Sequence, residues 1–171
     1  IAVIGHSYTM HLHWSSPSSF VAIATAVMKQ VNPAVEIRQW AKGGLKTRQS
    51  QELFYPAVRE WKPGKVVLVV DYRKEEDMQA FREMAAGFRQ NGTEVQMFDD
   101  YMAADYSKEF TAEKILANAR ESGAAVIPVI QALRQSPGRE KFKSLDGVHL
   151  TEPYHRLMAK EWLRFMAGKK G

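Results

Sequence analysis

At 171 residues, with 45% hydrophobic and 25% charged side chains, the chain has the size and balance of one folded domain with a sizeable core, not of a disordered segment. It contains no cysteine, which excludes disulfides, zinc–thiolate sites and a thiol nucleophile. The net charge of +5 is dispersed, with a small cluster at Lys169-Lys170, and basic residues interleave with acidic ones in Arg73-Lys74-Glu75-Glu76-Asp77, so no nucleic-acid partner is expected.

The chain opens inside an apolar run, Ile1-Ala2-Val3-Ile4, which reads as a first strand. It has no initiator Met, so an upstream segment is expected to have been removed or left out, and a signal peptide for export is one candidate for it. Ser16-Pro17 supplies an N-cap serine and a proline at the first helical position, and the helix continues through Val21, Ala24, Val27 and Met28. A second strand is expected over Val35 to Trp40 and a helix from about Arg48 to Trp61, which Pro56 should kink or interrupt. Val66-Val67-Leu68-Val69-Val70 has no polar break and should be the central strand.

The next helix places Met78, Phe81, Ala85 and Phe88 on one face and ends at Asn91-Gly92. A strand over Glu94 to Phe98 follows, then a helix marked by Ile115, Leu116 and Ala119 that ends near Gly123, then a strand over Ala125 to Ile130. The last helix starts near Thr151 and carries Tyr154, Met158, Trp162 and Phe165 as a stripe. His155, one turn beyond His149, is expected to be exposed. Five strands alternating with helices predict a single α/β domain over residues 1–171, a three-layer α/β/α sandwich around a five-stranded parallel sheet. No run approaches the roughly 20 apolar residues that cross a bilayer, and the oligomeric state is not legible.

Ligands in such folds bind at the C-terminal ends of the strands. Ser7, Gly43, Gly44, Asp71 to Arg73 and Asp99 to Asp100 all follow strand ends, and the loop Asp146-Gly147-Val148-His149 can reach the same edge. A serine hydroxyl is a poor nucleophile until a base takes its proton. His149 can be that base, and Asp146 can hold its ring in the right tautomer. Backbone N–H groups of Ser7 and of Gly43 or Gly44 are candidate donors to an oxyanion, the choice between the glycines being open. Each feature also has a plainer reading: Ser7 as a turn or cap, and Gly43-Gly44 as a strand-to-helix turn. Asp99, Asp100 and Asp105 read first as turn residues. His11 and His13 form an H-x-H pair with no third ligand at a suitable spacing, so no metal is expected.

The first strand with Gly5-His6-Ser7-Tyr8 resembles the opening block of the SGNH (GDSL-type) hydrolase family, where Gly-Asp-Ser is usual. Ala41-Lys42-Gly43-Gly44-Leu45 resembles its second block, and Asp146-Gly147-Val148-His149-Leu150 its closing Asp-x-x-His block. These blocks span essentially the whole chain. The resemblance implies a flavodoxin-like sheet, Ser7 as nucleophile, His149 as base, Asp146 as its orienting partner and an oxyanion-hole glycine in the second block. Two departures stand out. His6 replaces the usual Asp, and the third block, Gly-x-Asn-Asp, is replaced by Val69-Val70-Asp71-Tyr72-Arg73-Lys74, which lacks the side-chain oxyanion donor.

Arg73 is the candidate to fill that position. Tyr8, Tyr72 and Asp100 are the candidates for substrate contacts, with Trp14 a further aromatic that can line the cleft. The expectation is therefore an ester hydrolase without metal or organic cofactor, acting on a small acyl ester, such as an O-acetyl group on a carbohydrate. An O-acyltransferase, or a catalytically impaired binding protein explained by the altered third block, is the alternative. A phosphate-binding reading fails for want of a glycine-rich loop.

Overall fold

The computed structural model describes residues 1–10, 17–69, 71, 74–99, 112–138, 142 and 149–168. Five parallel strands, β1 (Ala2–Gly5), β2 (Arg38–Ala41), β3 (Lys65–Leu68), β4 (Glu94–Phe98) and β5 (Ala125–Ile127), form a sheet in the order β2-β1-β3-β4-β5. The unbroken apolar run of β3 does lie at the centre, where both faces are covered. Val70, the last residue of the expected strand, lies outside the described residues.

Strand side chains divide by the period of two that a pleated backbone imposes. Ala2, Ile4, Val66, Leu68, Val95 and Met97 enter one core, while Val3, Val67, Val69, Phe98 and Ile127 enter the other. The first is covered by α3 (Thr47–Trp61), α4 (Glu75–Gln90) and α5 (Ala112–Glu121), through Val58, Phe81, Met84, Phe88 and Ile115. The second is covered by α2 (Phe20–Val31) and α7 (Glu152–Met166), through Phe20, Ala24, Tyr154, Met158 and Trp162. This is the expected three-layer α/β/α sandwich. Two short helices, α1 (Ser7–Met10) and α6 (Ile130–Gln135), follow β1 and β5.

Four local expectations are corrected. Helix α2 starts at Phe20 with Ser19 as its cap, whose Oγ accepts the Ala22 N–H at 3.2 Å. Pro17 sits in the preceding turn, and Ser16 lies outside the described residues. Helix α3 runs through Pro56 without interruption; the carbonyl that loses its donor belongs to Glu52, an exposed residue. Strand β5 stops at Ile127, because α6 begins at Ile130.

The fourth correction is His155, which is 0% exposed. Its Nδ1 accepts the Phe20 N–H at 3.2 Å, and its ring stacks on the Phe20 ring with centroids 6.2 Å apart. The first N–H groups of a helix have no partner within it. The imidazole from α7 supplies one to α2, and so fastens the two helices that cover the second core.

Candidate active site

Ser7 is the first residue of α1, directly past the C-terminal end of β1, and is 8% exposed. The chain turns sharply there, with the Thr9 N–H donating to the His6 carbonyl at 3.0 Å. Gly5 makes the turn possible, since a Cβ on it would lie 1.8 Å from Thr9 Oγ1. The Lys42 N–H donates to the Gly5 carbonyl at 3.4 Å, which brings the Gly43-Gly44 turn beside the serine's strand. Gly44 has φ +78°, and a Cβ there would meet nothing within 4 Å. It is the turn's own left-handed backbone that calls for glycine, not crowding by the protein.

Beyond that turn, α3 is laced to the end of β3. The Thr47 N–H and Oγ1 both donate to the Asp71 carbonyl, at 3.4 and 3.1 Å. Lys46 Nζ pairs with Asp71 Oδ2 at 2.7 Å. The buried Asp77 carboxylate accepts the Arg48 N–H at 3.1 Å and the Lys74 N–H at 3.2 Å. Lys46 escaped the sequence reading because its partner Asp71 lies across the sheet edge. Asp77 sits at the third position of α4, where a carboxylate capping the Lys74 N–H is a local signal that was overlooked.

His149 is 8% exposed and directly precedes Leu150; the following Thr151 N–H donates to the Phe142 carbonyl at 3.0 Å. The Tyr8 ring meets the His149 ring in a T-shaped arrangement, with centroids 6.5 Å apart and planes at 82°. The Tyr8 and His6 ring centroids lie 4.6 Å apart. Residues from the two ends of the chain thus meet at one place. Tyr8 is 5% exposed and packs in the second core, leaving little of its ring for a ligand. Asp146, Arg73, Tyr72 and Asp100 lie outside the described residues, as do His11, His13, Trp14 and Asp105. Among the described residues no group of three or more His, Asp or Glu is arranged to hold a metal ion, and no helix is long and apolar enough to cross a membrane.

Asp99, which follows β4, joins this edge to α6. Its Oδ1 accepts the N–H groups of Val129 and Ile130, the latter at 3.0 Å. Burial pushes its pKa above the ordinary carboxylate value, against the pull of those two N–H donors. The folded state therefore holds the Asp99 proton more tightly than the unfolded chain. This contribution is present in acid and is lost as pH rises from the ordinary carboxylate range through the raised value. Urea denaturation of wild type and Asp99→Asn should show the wild type losing ground to the variant over that interval. A constant difference would show that burial does not govern this group.

Asp99 lines a cavity of about 10 Å³, no larger than one water. A hollow of about 680 Å³ is lined by Pro56, Arg59, Glu60, Lys62 and Asn91, at the opposite, N-terminal end of the strands from Ser7.

Neither a protein-family model nor a curated protein sequence matches the chain. Solved structures do match. One is the psychrotrophic esterase EstA from a Pseudoalteromonas species, with a TM-score of 0.78 at 9% identity over 98% of this chain and 96% of that one. Another is an acetyl xylan esterase from Geobacillus stearothermophilus, with a TM-score of 0.73 at 15% identity, covering 99% and 95% of the two chains. A third is a lipolytic protein of the G-D-S-L family from Desulfitobacterium hafniense, with a TM-score of 0.73 at 19% identity over 95% and 97%. The strand order, the two helical layers and this likeness along nearly the whole length agree that the chain has the SGNH (GDSL-type) hydrolase fold.

Proposed function

We propose that this chain is an SGNH-type serine hydrolase that cleaves a small acyl ester through an acyl-enzyme on Ser7. One observation carries the reading: Ser7 opens α1 at the C-terminal end of β1, and the ring of the next residue lies against His149. In the first half-reaction His149 takes the Ser7 hydroxyl proton as Oγ attacks the acyl carbon. The oxyanion is held by the Ser7 N–H, by the N–H of Gly43 or Gly44, and by the Arg73 side chain in place of the family's asparagine. Collapse expels the alcohol, which leaves with the proton from His149. A water then gives its proton to His149, attacks the acyl-enzyme, and returns Ser7 with release of the acid. Asp146 fixes the imidazole tautomer and steadies the imidazolium that forms twice in the cycle.

The proposed substrate is an O-acyl, specifically O-acetyl, group on a carbohydrate, and the acetyl xylan esterase among the fold relatives supports that choice. Hydrolysis of p-nitrophenyl acetate by wild type and Ser7→Ala, at matched concentration and pH, tests the chemistry. Turnover that disappears in the variant is the expected result. A wild type no faster than the variant would overturn the hydrolase reading and leave an impaired binding protein on the same fold.

A further inference from the structure

Building on the hydrolase reading, we infer that Tyr8, backed by His6, is a positioning residue that holds the His149 imidazole in place for the Ser7 hydroxyl. The three rings form one buried run. His6, Tyr8 and His149 are 6%, 5% and 8% exposed, with centroids 4.6 Å apart for the first pair and 6.5 Å for the second. The tilt of 55° between His6 and Tyr8 and of 82° between Tyr8 and His149 are the inclined and edge arrangements that aromatic quadrupoles prefer.

Tyr8 is itself firmly held. It sits on α1, which the Thr9-to-His6 hydrogen bond and the close approach of Thr9 to Gly5 press against β1. It also belongs to the same buried cluster as Phe142 and Tyr154, on the loop and helix that flank His149. A ring so placed limits rotation of the imidazole about its own side-chain bonds. An imidazole held in one orientation meets the Ser7 hydroxyl without a search over its own rotamers, which is what fixed geometry contributes to a reaction.

The test compares kcat and KM for ester hydrolysis in wild type, Tyr8→Leu, Tyr8→Met and Tyr8→Phe, beside the His149 ring signals in the NMR spectrum, assigned by their loss in His149→Asn. The two aliphatic variants should lose kcat several-fold with KM held and should broaden or multiply the His149 signals, and Tyr8→Phe should restore both. Wild-type kcat or a single unaltered His149 signal in folded Tyr8→Leu or Tyr8→Met overturns the inference. So does failure of both to fold by circular dichroism, which would mark Tyr8 as core packing alone. The NMR reading needs no turnover. Altered His149 signals in a protein without Ser7-dependent hydrolysis uphold the contact and sink the hydrolase reading; active protein with unaltered signals sinks only the inference.

Discussion

Replacing His149 with alanine is expected to slow ester hydrolysis on the order of 10⁴-fold or more. Without a base, the Ser7 hydroxyl must lose its proton to water as it attacks, and no acid is positioned to protonate the leaving alcohol. Ser7→Ala removes the nucleophile and should cost a similar amount. The informative variant is the double one. Serine and histidine act as one unit, so Ser7→Ala/His149→Ala should be about as slow as either single variant, not slower by the product. His149 is buried, at 8% exposure, so its truncation is also expected to lower stability, and activity is compared only among folded variants. Two measurements bear on the idea: kcat/KM for the three variants, and their urea midpoints as a check on folding. Retention of a tenth or more of wild-type activity in folded His149→Ala would remove His149 from the chemistry.

Gly5→Ala should be the costliest small substitution near the site. The added Cβ would lie 1.8 Å from Thr9 Oγ1, 2.9 Å from Thr9 Cβ and 3.0 Å from Val69 Cβ. None of these is the loose end of a flexible side chain. Thr9 is β-branched and 0% exposed, and Val69 packs in the second core, so relief requires α1 to lift away from β1. Overpacking of this kind costs about 1–3 kcal/mol. Lifting α1 also displaces Ser7, so turnover should fall further than stability alone explains. Thr9→Ala removes the atom in worst contact and, added to Gly5→Ala, should recover part of both losses, a positive coupling between neighbours. Wild-type stability and turnover in Gly5→Ala would mean that the turn is looser than its geometry indicates.

The layers of this fold were legible because each rests on a local pattern. The run Val66 to Val69 reads as a buried strand by its short length and β-branched content, and Phe81, Ala85 and Phe88 fall on one helical stripe. What escaped the sequence is set by contacts between distant residues. Ser16-Pro17 and Ser19 are both acceptable helix starts by local rules. Ser19 caps α2 where the Phe20 N–H meets His155 Nδ1 on α7, 135 residues away. The same contact buries a histidine that local reasoning left in solvent. Likewise β5 is shorter than its apolar run because Asp99, just past β4, draws the Val129 and Ile130 N–H groups into the start of α6.

At the candidate site, Ser7 and His149 were legible as a pair of motifs. The lacing of α3 to β3 through Lys46, Thr47 and Asp71 was not, since nothing in a lysine after a glycine turn names its partner 25 residues on. Tyr8 shows the limit most clearly. Its place beside the serine is plain in the sequence, but its contact with the His149 ring joins distant parts of the chain.

The serine follows the first strand of this chain and the histidine precedes its last helix. The candidate site is therefore a clasp between distant stretches of sequence. No fragment that lacks either stretch holds both groups. If Ser7 and His149 act as proposed, the serine is made early in synthesis and stays without its base until the stretch through His149 has emerged.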